Sequence, residues 1–264
     1  MRLIDTHTHL DFPEFDQDRS AVLEACRIGG VERLVVLGVS RANWGRVWQL
    51  VSADNRLFAA FGLHPVFLEQ HLPEHLDALR QQLQDLAEHP QCCAVGEIGL
   101  DYFLPELDRS RQRQLFASQL QLAVEYQLPV LLHVRRAHAD TLALLKQYRP
   151  PRAGIVHAFS GSMEEANEYI RLGFKLGFGG AATWPQAKRL RRTLAALPAD
   201  SLVLETDAPD MAPYFHPHQR NSPAYLPEIC QQLAAIRGET AEQLASKCLR
   251  NSCELFGWPP TAMN

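Results

Sequence analysis

Eight short apolar segments recur along the 264-residue sequence, separated by longer segments with helical periodicity, and this alternation restricts the possible folds more than any other feature. Apolar runs of this length are typical of strands that are buried on both faces. Eight strand–helix units without a long linker fit a (β/α)8 barrel, and we predict one such domain over residues 1–264. The predicted strands cover residues 3–6, 33–39, 57–63, 92–98, 129–134, 153–158, 174–179 and 201–206.

A doubly wound open sheet is the alternative arrangement of the same units. The Gly-x-Gly-x-x-Gly turn of many such sheets does not follow the first predicted strand, and Gly29-Gly30 precede the second. The barrel also brings the carboxyl ends of all strands to one mouth, whereas an open sheet spreads them along a line.

Local signals predict the ends of two helices. Helical periodicity covers residues 108–126, and Asp108 stands in the N-cap position. Ser162-Met-Glu-Glu has the form of a capping box, and Gly173 is predicted to end the helix that follows it.

Six potential metal ligands stand where five of the apolar segments end. Four imidazoles and two carboxylates suit two divalent ions, and the mixed set admits zinc, manganese, cobalt or magnesium. A barrel would gather these side chains at its mouth, which indicates a hydrolase. The six predicted ligands are His7, His9, Glu97, His133, His157 and Asp207.

Glu97 needs a particular reason to lie in an apolar strand, because burying an unpaired charge costs several kcal/mol. Bridging two cations is one reason, and a buried salt bridge to an arginine is the alternative. Asp5 has two predicted roles: it accepts a ring N–H from a ligand histidine, or it forms a hydrogen bond in a loop or at the bottom of the barrel. Asp101 and Glu205 are predicted to support the ligands or to form salt bridges.

Composition leaves the substrate open. The net charge of −4 gives no general positive field for nucleic acid, but two divalent ions would leave the pocket positive, so an anionic substrate is not excluded. The six cysteines form no Cys-x-x-Cys pair and are predicted to be free, buried thiols. The sequence has no signal-peptide pattern and no apolar stretch long enough to span a membrane, so we predict a cytoplasmic protein that makes no membrane contact. A monomer is the expectation, but the sequence does not determine the oligomeric state.

The motifs together resemble those of the TatD family of metal-dependent deoxyribonucleases, which are amidohydrolase-like barrels. In order they are Ile-Asp-Thr-His-Thr-His-Leu (4–10), Gly-Leu-His-Pro (62–65), Gly-Glu-Ile-Gly-Leu-Asp-Tyr (96–102), Leu-Pro-Val-Leu-Leu-His-Val-Arg (128–135), His-Ala-Phe-Ser-Gly (157–161), Leu-Glu-Thr-Asp-Ala-Pro (204–209) and Arg-Asn-Ser-Pro (220–223). The resemblance implies two ion sites that share one ligand. The first site would use His7, His9, Glu97 and Asp207, and the second would use Glu97, His133 and His157.

The chain departs from the family pattern at two places that concern the substrate. Val66 follows the His64-Pro65 pair, where the family often has another histidine, and Asp210-Met211 replace an aromatic residue. Many related barrels bridge their metals with a carboxylated lysine, but no lysine precedes Lys146 here. Glu97 at that place favours the TatD-like interpretation.

The resemblance favours a 3'-5' exonuclease that acts on single-stranded DNA through a two-metal-activated water. Asp207 would position or deprotonate that water, with Glu97 as the bridging carboxylate, and His64 would bind the phosphate or protonate the leaving group. Arg135 and Arg220 are predicted to contact phosphate. Hydrolysis of another ester or amide, including acyl esters on tRNA, and a non-catalytic metal-binding role are the alternatives.

Nearby aromatic and basic residues are predicted to serve packing and solubility more than binding. Trp184, Phe103 and Tyr214 could stack a base, but such residues more often pack the loops. The basic cluster at 188–192 is predicted to be the solvated face of a helix.

Overall fold

The computed structural model describes residues 1–259, in which eight strands alternate with helices. The strands are β1 Leu3–Thr8, β2 Val31–Gly38, β3 Leu57–Phe61, β4 Cys92–Asp101, β5 Val130–Arg135, β6 Gly154–Val156, β7 Lys175–Phe178 and β8 Leu202–Leu204. The α-helices are α1 Arg19–Ile28, α2 Trp44–Ala53, α3 Glu74–Leu86, α4 Arg109–Glu125, α5 His138–Tyr148, α6 Met163–Arg171, α7 Lys188–Ala196, α8 Leu226–Arg237 and α9 Ala241–Phe256. Short 3-10 helices cover Pro13–Phe15, Pro65–Gln70, Gly180–Thr183, Ala199–Ser201 and Pro223–Tyr225.

The strands form one sheet in chain order from β1 to β8. Pairing is parallel from β3 through β6 and between β7 and β8. The two ends of that order also meet, because the Asp207 amide donates to the His7 carbonyl at 2.9 Å and the His9 amide donates to the Ala208 carbonyl at 2.7 Å. A parallel sheet joined in this way is a (β/α)8 barrel, so the predicted fold class is confirmed and the open sheet is wrong.

Strand ends differ from the predicted ones where polar residues or special backbone angles intervene. β4 continues to Asp101, and β1 continues through His7 to Thr8, with all residues of both strands buried. β8 ends at Leu204, before Asp207, which has a φ of 59° that no regular strand accommodates. Glu97 and His133 therefore lie within strands, and Asp207 follows one.

The predicted helix signals are present in the structure. The Asp108 side chain accepts hydrogen bonds from the Ser110 and Arg111 amides at the start of α4. Ser162 and Glu165 form the complete capping box of α6. Gly173 has a φ of 87° after that helix, and this left-handed residue lets the next amide bond back to the last turn.

Contacts within the chain define two compact units. The first contains residues 1–34 and the described residues from Lys175 onward, with β1, β7, β8, α1 and α7 to α9. The second is Val35–Phe174, with β3 to β6 and α2 to α6. The single domain over residues 1–264 stays a prediction.

All six cysteines are free and buried, as predicted. Burial raises the pKa of the Cys92 thiol to about 12, which keeps it protonated and unreactive at neutral pH. Within residues 1–259, no helix has the length and apolar character required to cross a membrane.

Candidate metal-binding site

The first unit brings together three of the predicted ligands. His7 lies on β1, His9 follows its end, and their side chains share one face because strand side chains alternate. His7 Nε2 lies 3.4 Å from Asp207 Oδ1, and His9 Nε2 lies 3.6 Å from the same oxygen. These three side chains, all largely buried, are called the Asp207 cluster below.

Asp5 fixes the backbone beneath the Asp207 cluster. Its buried carboxylate accepts hydrogen bonds from the His7 amide at 3.2 Å, the Thr206 amide at 3.0 Å and the Thr206 hydroxyl at 2.6 Å. Burial raises the pKa of Asp5 to about 8, against the opposing effect of those hydrogen bonds. Of the two predicted roles of Asp5, the structure shows the local hydrogen bonds, to the His7 amide and to Thr206, in place of a bond to a histidine ring.

The second unit surrounds one carboxylate oxygen with three imidazoles. Glu97 Oε1 lies 3.1 Å from His64 Nε2, 3.3 Å from His133 Nδ1 and 3.1 Å from His157 Nε2. The Glu97 side chain is only 2% exposed. β4 carries Glu97 and β5 carries His133, whereas His64 and His157 follow β3 and β6. We call these four residues the Glu97 cluster.

Asp101 orients His133 within the Glu97 cluster. Its Oδ2 lies 2.9 Å from His133 Nε2, which leaves Nδ1 toward Glu97. Burial alone would lower the pKa of His133, but the hydrogen bonds to Asp101 and Glu97 outweigh it and raise this pKa. Burial likewise opposes ionisation of Asp101, yet the hydrogen bond with His133 lowers the pKa of Asp101. Asp101 thus contacts a predicted ligand, and its support of a metal ligand stays a prediction.

His64 is held in place by interactions that the sequence analysis missed. Its Nδ1 accepts a hydrogen bond from the Val66 amide at 3.1 Å, and its carbonyl lies 2.9 Å from His71 Nε2. The backbone of the preceding residue, Leu63, is fixed by the Gln119 side chain. Gln119 accepts a hydrogen bond from the Leu63 amide at 2.7 Å and donates one to the Leu63 carbonyl at 3.1 Å.

A second glutamine on α4 repeats this arrangement one strand further on. Gln112 accepts from the Asp101 amide and donates to the Asp101 carbonyl, both at 2.8 Å. Gln112 and Gln119 are seven residues apart and fully buried, so they lie on one face of the helix. Two glutamines at this spacing on the apolar face of a predicted helix are the sequence signal that could have identified them.

The two arginines predicted to contact phosphate differ in their surroundings. Arg220 forms a salt bridge with Asp18 at 2.6 Å and lies over the Phe15 ring. Arg135 is exposed, and its guanidinium lies 3.7 Å from the centroid of the Phe103 ring. The structure therefore leaves Arg135 available to an external anion and engages Arg220 within the protein.

Other predicted surface features follow their expected structures. Trp184 donates its ring N–H to the Ala212 carbonyl and its ring contacts the Tyr214 ring, so Trp184 packs within the loops. The basic residues at 188–192 lie in α7.

The donor atoms of both clusters fit divalent metal ions. One ligand atom from each of His7, His9 and Asp207 lies within 4.8 Å of the others, and the same holds for His64, Glu97 and His133. Imidazole nitrogens and carboxylate oxygens collected in a buried place are a donor set that zinc, manganese or cobalt accepts.

Comparison with known proteins agrees with this chemistry. The family model described as TatD related DNase matches residues 4–257. The chain is 42% identical to the uncharacterized metal-dependent hydrolase YjjV of Escherichia coli strain K12, over 98% of this chain and 99% of that protein. It is 34% identical to the 3'-5' ssDNA/RNA exonuclease TatD of Pantoea vagans, over 96% of this chain and 99% of that protein. The crystal structure of the Escherichia coli TatD homologue YjjV superposes with a TM-score of 0.94, covering 98% of this chain and 99% of that one at 41% identity. The chain therefore belongs to the TatD family, and the protein is a metal-dependent hydrolase that acts on ester bonds.

Proposed function

We propose that this protein is a 3'-5' exonuclease of single-stranded DNA that works with two divalent ions. The observation that carries the proposal is the Glu97 cluster, in which three imidazole nitrogens lie within 3.3 Å of one buried carboxylate oxygen. Family membership and relatives named as single-strand exonucleases support the choice of substrate. A cytoplasmic location and a monomeric state are part of the proposal.

In the proposed centre, His7, His9 and Asp207 would hold one ion, His133 and His157 would hold the other, and Glu97 would contribute to both. When bound, the ions supply Lewis acidity toward a phosphodiester and lower the pKa of water.

Asp207 orients the attacking water and accepts its proton. Its carboxylate is 14% exposed, whereas the Glu97 side chain is 2% exposed, so Asp207 is the more accessible of the two carboxylates.

His64 is the proposed donor to the substrate. Because Nδ1 accepts a hydrogen bond from the Val66 amide, the neutral ring carries its proton on Nε2, the atom directed toward Glu97. In that form His64 donates a hydrogen bond to a phosphate oxygen, whereas protonation of the leaving oxygen requires the imidazolium form, which returns to the neutral ring. Arg135 contacts a phosphate of the substrate. Arg220 would bind a phosphate only if its salt bridge with Asp18 were broken.

The test is a metal-titrated hydrolysis assay on protein stripped with EDTA. Zinc, manganese, cobalt and magnesium are each added back, and single-stranded DNA labelled at its 5' end, RNA, an acylated tRNA and a small phosphodiester are compared. We expect metal-dependent shortening of the DNA from its 3' end, which is lost in Glu97→Ala and in Asp207→Asn.

The other outcomes are equally informative. Cleavage of the acyl ester alone would overturn the nuclease proposal while retaining the hydrolase. Unchanged DNA cleavage in both variants would overturn the assigned roles of Glu97 and Asp207. Circular dichroism of the variants distinguishes lost chemistry from lost folding.

A further inference from the structure

Two arginine guanidinium groups lie against the Phe103 ring. Arg135 Cζ lies 3.7 Å from the ring centroid, and Arg136 Cζ lies 4.7 Å from it. Phe103 is 41% exposed, and both arginines are exposed. Neither guanidinium forms a hydrogen bond or salt bridge with any residue in the range 1–259, whereas Arg113 in the same unit binds Asp140.

The backbone explains how consecutive arginines reach one ring. The Tyr102 amide donates to the Arg135 carbonyl, and the Phe103 amide donates to the Asp101 carboxylate, both at 2.8 Å, which holds Phe103 beside the end of β5. Side chains of successive strand residues point to opposite faces. Arg136 does not follow this alternation, because its backbone is left-handed, with a φ of 56°. Its side chain therefore reaches the same ring as that of Arg135. Such a backbone conformation is unfavourable for a residue with a side chain and is typical of functional sites.

The stack adjoins the Glu97 cluster through residues of the same unit. Arg135 follows His133 by two positions on β5, and Asp101, its neighbour in the sheet, bonds to His133. A ligand held by the two arginines would therefore lie next to the histidines that surround Glu97.

We infer that Phe103, Arg135 and Arg136 form a subsite for the sugar-phosphate backbone of a single-stranded nucleic acid, beside the position of cleavage. The inference rests on the proposed function and adds Arg136 and Phe103 to it. Two like charges on one ring repel each other, and a phosphate anion between them removes that repulsion. Phe103 holds both guanidinium groups by cation–π contact, and guanidinium N–H groups form bidentate hydrogen bonds to phosphate oxygens. The outer guanidinium faces can stack on a base.

Binding without cleavage tests the subsite. Fluorescence anisotropy of a short labelled oligothymidylate is measured on EDTA-treated protein at several salt concentrations. We expect Arg136→Gln to weaken binding about fivefold at 0.1 M salt and to reduce the slope of log K against log salt by about 0.7, the value for one lost phosphate contact on a single strand. Phe103→Leu keeps both charges, so it should weaken binding while the salt slope changes less.

Arg192→Gln is the matched control, since it removes one exposed positive charge from α7, and it should leave affinity and slope unchanged. The inference is overturned if Arg136→Gln binds like the wild type, if Arg192→Gln weakens binding equally, or if the wild type does not bind. Thermal melting by circular dichroism verifies that each variant is folded.

A parallel cleavage assay on the same oligonucleotide with metal restored separates the two proposals. Binding that depends on Arg136 without any cleavage would retain the subsite and overturn the exonuclease. If the protein cleaves the oligonucleotide but Arg136→Gln binds it as tightly as the wild type, the exonuclease proposal is retained and the subsite is overturned.

Discussion

One buried glutamine, Gln119, fixes the backbone next to His64. It forms hydrogen bonds with both the N–H and the C=O of Leu63, the residue before His64. Because Leu63 is fully buried, removal of this side-chain amide leaves a backbone donor and a backbone acceptor without partners. In the proposed mechanism, Gln119 is thus a positioning residue whose effect on the reaction passes through His64.

We predict that Gln119→Leu lowers the free energy of unfolding by roughly 2–4 kcal/mol, since each unsatisfied buried group costs about 1–3 kcal/mol. Urea unfolding followed by circular dichroism gives this value. Gln121→Leu, an exposed position on the same helix, should stay within about 0.5 kcal/mol of the wild type. Equal stability of the two variants would show that the hydrogen bonds between Gln119 and Leu63 contribute nothing.

Glycine at one position of β7 is required by a neighbouring carboxylate. A Cβ atom built on Gly177 would overlap the side chain of Glu205. By contrast, a Cβ on Gly45 in α2 meets no atom within 4 Å.

The two alanine substitutions should therefore have opposite signs. Gly177→Ala is expected to destabilise the protein by about 1–3 kcal/mol, the usual cost of overpacking. Gly45→Ala should stabilise it by roughly 0.5–1 kcal/mol, because alanine loses less backbone entropy in a helix. Thermal melting of both variants tests the pair, and a stabilised Gly177→Ala would mean that Glu205 moves away at no cost.

At the scale of elements, a small charge network joins α8 to α9. Glu239 lies between the helices and binds Arg237 on one oxygen and Lys247 on the other. Burial would raise the pKa of Glu239, but the hydrogen bonds from Lys247 and Arg237 outweigh it and lower this pKa. A carboxyl whose pKa is lowered on folding stabilises the folded state above its unfolded pKa of about 4.3, and this contribution is lost as pH falls through the folded value.

We predict that Glu239→Gln lowers the free energy of unfolding by roughly 1–2 kcal/mol at pH 7, where the charge-assisted bonds are present in the wild type. The difference should shrink as pH falls below about 4, since the wild type is then protonated as well. Urea unfolding between pH 7 and pH 3 gives both curves. Glu254→Gln, an exposed change on α9, is the control. A difference that is constant over this pH range would contradict the electrostatic explanation.

Sequence patterns predict the elements better than their ends. All eight strands were identifiable because their residues are apolar and buried on both faces, but β4 extends to Asp101, whose burial depends on His133 from another strand. Likewise, the position of His64 beside Glu97 depends on the turn at Pro65 and on Gln119, which is distant in sequence. Ligand types were predictable from strand ends, whereas their partners required tertiary contacts.

At the scale of the whole molecule, the proposed metal ligands are far apart in sequence, from His7 to Asp207. A metal that binds only the folded chain stabilises it by RT ln(1 + [M]/Kd), about 2.7 kcal/mol at a hundredfold excess over Kd. EDTA should therefore lower the melting temperature of the holo-protein, and restored metal should raise it again.

Stoichiometry separates one ion from two. We predict two equivalents of metal per chain by elemental analysis after dialysis, because the Asp207 cluster and the Glu97 cluster each supply their own histidines. Asp207→Asn weakens only the Asp207 cluster, so this variant should retain about one equivalent of metal and a part of the metal-dependent thermal stabilisation. Glu97→Ala removes the carboxylate proposed to serve both ions and should reduce both equivalents. If the wild type holds a single equivalent that Asp207→Asn leaves in place, the Asp207 cluster is not a metal site, and its carboxylate acts on the substrate or water alone.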